Sequence, residues 1–417
     1  MRRFLPVLLL VFHCTAPYCA AGKPDRNVVE KLVTDLGSAS RRDRELAEEN
    51  LVASGPEVLD LLPQSAGSPA VSAALDRIRR ELEQEAARLA GLASRISLTG
   101  QRSWSDIEKA FHDQTGQVIR LAGIRAPSGP LDWTEKPFWD AVRELETQTG
   151  TSAAPERAAE ALFLRPLTNK TESAVATSGP CRVELVGVSE RANLVDPTMS
   201  LLTARWRVRT EPRLRPLYLI VADRQCSLGM GPERFAPLSP DARREIPCDR
   251  WDGCEIDTAF QAPRGVDRSK LEFSADATLK VAALPLRLRF DDLQVPVPRP
   301  LRRGAVTGAV RRVKADPGAG TISLELTVSY ERGGPEFESH RMWIYQNAAW
   351  LELSEGGEAI VPESVDLKEI SSTGATLGFT FDNVVAPAAD LTFVYEAPSL
   401  VIDVPVRVTG LPVPVTQ

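Results

Sequence analysis

The sequence predicts a multidomain α+β protein: a helical N-terminal segment, a small duplicated strand–helix–strand module and two C-terminal antiparallel β-sandwiches. Three observations carry this. Apolar residues recur every three or four positions over residues 27–93. A helical pattern then appears twice at an offset of 34 residues within 94–152. From about residue 178 the apolar period switches to two, the spacing of strands with one buried face. A length of 417 residues suits several domains rather than one.

Residues 1–21 read as a cleavable secretory signal. Arg2 and Arg3 give a basic start, Leu5 to Phe12 an apolar stretch, and Cys19, Ala20 and Ala21 the small residues of a cleavage site. No later stretch approaches the roughly 20 apolar residues of a transmembrane helix. The chain is therefore expected to be exported, as a periplasmic, envelope-associated or secreted protein without a transmembrane span.

In the helical segment 27–93, Val28, Val29, Leu32, Val33 and Leu36 share a helix face that Gly37 ends. Ser40 with Asp43 resembles a capping box, and Leu46, Ala47 and Leu51 follow until Gly55-Pro56. Ser68-Pro69 opens a longer helix through Val71, Leu75, Ile78 and Leu82. The runs Leu32–Gly37, Arg44–Glu48 and Ala53–Pro56 resemble a HEAT-like repeat, over about one repeat and a half.

In the module 94–152, Trp104–Gly116 aligns with Phe138–Gly150, and Asp, Gln, Thr and Gly recur in register. Trp104, Ile107 and Phe111 in one copy and Phe138, Val142 and Leu145 in the other form apolar faces. Gly116 and Gly150 stand where a helix C-terminus calls for left-handed backbone. Strand, helix and Gln-Thr-Gly ending, seen twice, resemble the short N-terminal domain of secretins and TonB-dependent receptors. The order of segments is also similar to a group of uncharacterised exported bacterial proteins. The resemblance implies an envelope interaction module and brings no catalytic residue.

The first β region, 178–293, is marked by Cys181, Val183 and Leu185 alternating with Arg182 and Glu184. Leu202, Ala204, Trp206 and Val208 alternate likewise with Thr203, Arg205, Arg207 and Arg209. Residues 294–300, rich in Pro, read as a stiff linker or an edge segment. The second β region, 304–411, contains Ile322–Tyr330, Ala375–Phe381, Leu391–Tyr395 and Leu400–Val406 as separate alternating runs. Regular turn signals between short strands suit two sandwiches, with one large β unit as the alternative.

Beyond the signal, four cysteines remain, Cys181, Cys226, Cys248 and Cys254, an even number that favours disulfides in an exported chain. The turn-like loop between Cys248 and Cys254 suggests that these two pair, leaving Cys181 to bridge Cys226; free buried thiols are the alternative. Their spacing is not a zinc pattern, and Asp249 with Asp252 is too few oxygens for calcium.

No G-x-S-x-G, H-E-x-x-H or Walker motif is present. His112, on the first duplicated helix, has Glu146 as its counterpart, and His340 lies at a strand start. No catalytic, cofactor-binding or metal site is therefore assigned. With a formal charge of −6 and no basic stripe, nucleic acid is a poor partner. Trp139 and Trp251 are the candidate partner contacts: one beside an apolar helix face, the other at the tip of the cysteine-flanked loop. The expectation is an exported, non-catalytic envelope binding or scaffold protein whose partner is another envelope protein. The alternatives are a secreted hydrolase acting on polysaccharide or peptidoglycan, and a carbohydrate-binding protein.

Overall fold

The computed structural model describes residues 25–63, 67–121, 127, 129–156, 161–167, 174–249, 253–291, 293, 300–303, 306–331, 344, 347–353 and 359–414. Of these, 52% lie in strands and 24% in helices, so the protein is mostly β. It divides into two compact units, Met1–Glu85 and Ala86–Gln417.

The first unit holds α1 (Arg26–Asp35), α2 (Arg41–Ala53), a 3₁₀ turn at Pro56–Leu61 and the greater part of α3 (Pro69–Ala90). Asp25 caps α1 by accepting from the Asn27 N–H, and Ser40 caps α2 by accepting from that of Asp43. Gly55, at φ +83°, lets the chain turn into the 3₁₀ segment. Val29, Leu36, Leu51, Val58, Leu75, Ile78 and Leu82 form one buried core. The expected HEAT-like segment is not supported. A HEAT repeat stacks matched helix pairs on further copies, whereas α1 and α2, with 10 and 13 residues, and the 22-residue α3 follow no repeating unit.

In the second unit, β1 (Arg95–Gly100), α4 (Trp104–Thr115), β2 (Ile119–Leu121), β3 (Leu131–Pro137), α5 (Phe138–Thr149) and β4 (Thr151–Glu156) follow the duplicated pattern. Strand β5 (Ala161–Pro166), beyond residue 152, completes the module. β1 pairs antiparallel with β3, while β2, β5 and β4 form a separate mixed sheet. Both helices end alike: Thr115 and Thr149 donate to the carbonyls of Phe111 and Leu145, and Gly116 and Gly150 take left-handed backbone at φ +68° and +65°. Phe111, Trp133 and Phe138 meet edge to face in the core.

The remaining strands are β6 (Ala174–Ser178), β7 (Cys181–Ala192), β8 (Met199–Thr210), β9 (Arg215–Met230), β10 (Glu233–Phe235), β11 (Arg243–Pro247), β12 (Cys254–Pro263), β13 (Glu272–Phe290), β14 (Leu301–Arg303), β15 (Val306–Asp316), β16 (Thr321–Tyr330), β17 (Ala349–Glu352), β18 (Ala359–Ile360), β19 (Ser364–Ile370), β20 (Gly374–Phe381) and β21 (Thr392–Pro412). They form a sheet β12-β8-β7-β6, a sheet β14-β15-β16-β20-β19, and a seven-stranded sheet running β10-β9-β13-β21-β17-β18 with β11 added on β9.

The two expected sandwiches are not independent. β13 and β21, with 19 and 21 residues, pair along nearly their whole length and serve two cores. Leu279, Val281, Val404 and Val406 pack in the core shared with β7, β8 and β12. Leu288, Phe290, Phe393 and Tyr395 pack in the core shared with β15, β16 and β20. The runs 391–395 and 400–406, read as two strands from the sequence, are one. Pro398 and Pro405 lie within it, beyond the stretch Thr392–Tyr395 that pairs with β17 and opposite Pro285 and Thr278 of β13.

Candidate interaction site

The α/β module is held on the β body by a network of buried charges. Arg182, on β7, donates from Nη1 to Glu146 at 2.8 Å and from Nε to Glu184 at 2.7 Å. All three side chains are buried. Burial works against the Arg182 charge, but Glu146 and Glu184 outweigh it and hold the guanidinium above its ordinary value. The second Glu146 oxygen accepts from the Ala153 N–H at 2.6 Å, and Arg209 reaches the Ala153 carbonyl and Glu184. Edge strand β4 thus has a backbone N–H and C=O satisfied by side chains of α5 and β8, in place of a neighbouring strand.

This docking corrects two sequence readings. Arg182 and Glu184, assigned to a wet strand face, are inside because the module covers that face. The side-chain exposures of Arg205, Arg207 and Arg209 fall from 54% to 31% to 15% along β8 as the cover is approached. Trp139, expected as a partner contact, is 2% exposed. Its indole N–H donates to the Pro180 carbonyl at 3.1 Å, and the Arg182 guanidinium lies 5.6 Å from its ring centroid. It contacts the chain's own β body and is closed to an outside partner.

A second buried junction centres on Glu211, whose residue exposure is 0%. One carboxylate oxygen accepts from the Ser94 N–H at 2.9 Å. The other accepts from Ser94 Oγ at 2.6 Å, Gln117 at 3.3 Å and Arg213 Nε at 2.7 Å. Arg213 also donates to the carbonyls of Ala90 and Leu92. Through these bonds Glu211 ties the start of the module to the chain between β8 and β9.

Among the described residues, strongly exposed aliphatic side chains include Val385 at 97%, Val361 at 71% and two neighbours at the tip of the β7–β8 hairpin. Leu194 and Val195 are each 94% exposed. The turn beneath them is tightly bonded. Asn193 Oδ1 accepts from the N–H groups of Val195 and Asp196, at 3.0 and 3.3 Å. Asp196 Oδ1 accepts from Thr198 N at 3.0 Å and Oγ1 at 2.6 Å, which holds the Asp196 carboxyl below the usual carboxylate range. The Arg264 N–H, from the loop after β12, donates to the Thr198 carbonyl at 2.9 Å. Two adjacent aliphatic side chains are therefore presented to solvent on a preorganised turn. The alternation that marks β7 and β8 in the sequence stops short of these residues and gave no signal for them.

The other candidates are scattered. His112 is exposed on α4, where its neighbour Asp113 pairs with Lys109 at 2.8 Å. His340, Trp251 and Asp252 lie outside the described residues. Among the described residues, no group of three or more His, Cys, Asp or Glu side chains gathers to hold a metal ion. The four cysteines are buried and are reduced in this structure. The expected Cys181–Cys226 bridge is ruled out by register. Cys226 hydrogen-bonds Thr258, which stands opposite Ala204 on β8, whereas Cys181 stands opposite Thr210. Those β8 positions are about 20 Å apart along the strand, and a disulfide needs Cα atoms within about 7 Å.

No family model matches the chain, and no curated protein matches it significantly. Among solved structures, the crystal structure of the conserved domain protein from Bacillus anthracis is similar at 8% identity, over 52% of this chain and 73% of that chain, with a TM-score of 0.14. A likeness of that size carries no argument about fold or function.

Proposed function

We propose that this chain is an exported cell-envelope protein that works without catalysis, by holding another envelope protein. The observation that carries the reading is the β7–β8 tip, where Leu194 and Val195 stand fully exposed on a turn already fixed by its own hydrogen bonds. A preorganised apolar tip loses little conformational freedom when it enters a partner's pocket, so its burial contributes to affinity. The basic and apolar N-terminus supports export. The duplicated strand–helix–strand module supports an envelope role through its resemblance to the short N-terminal domain of secretins and TonB-dependent receptors. Among the described residues, no helix is long and apolar enough to cross a membrane.

The test is retention of partners from envelope extract by the full chain and by the L194D/V195D variant. A protein held by the parent and lost by the variant supports the reading. A partner held equally by both removes the tip from the interface, and no partner with either chain counts against a binding role. Deleting residues 94–152 is the poorer test, because it strips Arg182 of Glu146 and leaves a buried charge unpaired.

A further inference from the structure

We propose that Cys248 and Cys254 form a disulfide, the single bridge among the four cysteines beyond residue 21, and that Cys181 and Cys226 remain thiols. The argument is one of strand geometry. Asp249 and Gly253 bond each other in both directions: the Asp249 N–H to the Gly253 carbonyl at 2.8 Å, and the Gly253 N–H to the Asp249 carbonyl at 3.0 Å. They are thus a hydrogen-bonded antiparallel pair. Cys248 and Cys254 adjoin this pair on its two arms, and the position next to a hydrogen-bonded antiparallel pair is the non-hydrogen-bonded kind, whose usual Cα separation is about 4.5 Å with side chains on one face. That spacing falls inside the disulfide range of about 4.4–6.8 Å.

The surroundings agree. Both residues are buried, Cys248 at 1% and Cys254 at 5%, in the core of the first sandwich. The Cys248 thiol is within hydrogen-bonding reach of Cys254, which together with burial pushes it well above the ordinary cysteine value. Gly253 fixes the approach: its φ is +70°, and a Cβ there would stand 1.9 Å from the Val208 carbonyl oxygen, so this close passage over β8 requires glycine. Cys181 and Cys226 have no such arrangement. Cys226 sits beside Asp223, Arg244 and Thr258, where burial pushes its thiol up to about 11.

The oxidation balances as a thiol–disulfide exchange with a small disulfide donor, for which glutathione disulfide serves as the probe. The Cys254 thiolate attacks one donor sulfur and releases one glutathione thiolate, which takes up a proton. The Cys248 thiolate then attacks the Cys254 sulfur and releases the second. Two protein thiols lose two protons and two electrons, and one donor disulfide becomes two thiols. The raised Cys248 thiol and the burial of both residues disfavour this step in the closed core, so it belongs to the stage before the sandwich closes.

The experiment refolds the full chain from denaturant with reduced and oxidised glutathione, blocks remaining thiols with iodoacetamide after denaturation, and maps tryptic peptides without reductant. Trypsin cuts after Arg250, so the bridge joins Glu245–Arg250 to Trp251–Arg264. The expected result is gain of that joined pair, loss of both alkylated peptides, and recovery of Cys181 and Cys226 in alkylated form. A C181S variant should give the joined pair in the same yield. Recovery of Cys248 and Cys254 as alkylated peptides, or of either joined to Cys181 or Cys226, overturns the proposal. The result does not depend on the Leu194–Val195 tip, so it stands or falls apart from the proposed function.

Discussion

Arg182 on β7 and Glu146 on α5 meet at 2.8 Å with both side chains almost wholly out of solvent. This one contact joins a helix of the duplicated module to a strand whose alternation assigned Arg182 to water. In the interior an ion pair gains little net stability over apolar residues of the same shape, but removing one partner leaves the other charged and unsatisfied. Its role is to fix where the module sits.

Glu146→Ala should therefore destabilise the chain by about 3–5 kcal/mol in chemical denaturation. A cycle with Arg182→Met should show strong coupling, with the double variant losing less than the sum of the single losses. Additive losses would mean that the pair does not act as a unit.

Glu211→Ala removes the common acceptor of Ser94, Gln117 and Arg213. The expected loss is again about 3 kcal/mol or more, since Arg213 is left without its carboxylate. Hydrogen exchange at the Ser94 amide should speed up sharply, whereas exchange in β15 and β16, which pack in the other core, should change little.

The double substitution L194D/V195D should leave stability within about 0.5 kcal/mol of the parent, because neither side chain is buried. Equal thermal midpoints with unequal partner retention would separate a contact role from a folding role at the tip.

Asp196 titrates below the ordinary aspartate value of about 3.9 because Thr198 donates to its charged form through its hydroxyl and its N–H. A lowered folded value contributes stability that is present above the unfolded value and is lost as pH falls through the folded one. Thr198→Val should move the Asp196 carboxyl resonance titration upward by NMR. An unchanged titration would show that the hydroxyl is not what lowers it.

Gly253→Ala places a Cβ against the Val208 backbone and forces a strained φ, so a loss of at least about 1–3 kcal/mol is expected. The same variant should lower the yield of the joined Glu245–Arg250 and Trp251–Arg264 peptides, since the Asp249–Gly253 pairing aligns the two cysteines.

Sequence alone determined the local elements. Helical spacing with Ser40, Gly116 and Gly150 at the ends marked α2, α4 and α5. The 34-residue offset marked two helices that end on the same Thr and Gly geometry, and period-two alternation marked β7, β8, β16 and β20. Only the tertiary structure decided that Trp139, Arg182 and Glu184 are inside, that Cys226 stands far from Cys181, that β13 and β21 run through two cores, and that the N-terminal helices follow no repeating unit. Periodicity reports which side chains share a face, because it follows from the backbone rise of one element. It does not report whether another element covers that face, or how far a strand continues past a proline. Those outcomes depend on contacts between residues distant in the chain, such as Glu146 with Arg182 and the pairing of β13 with β21.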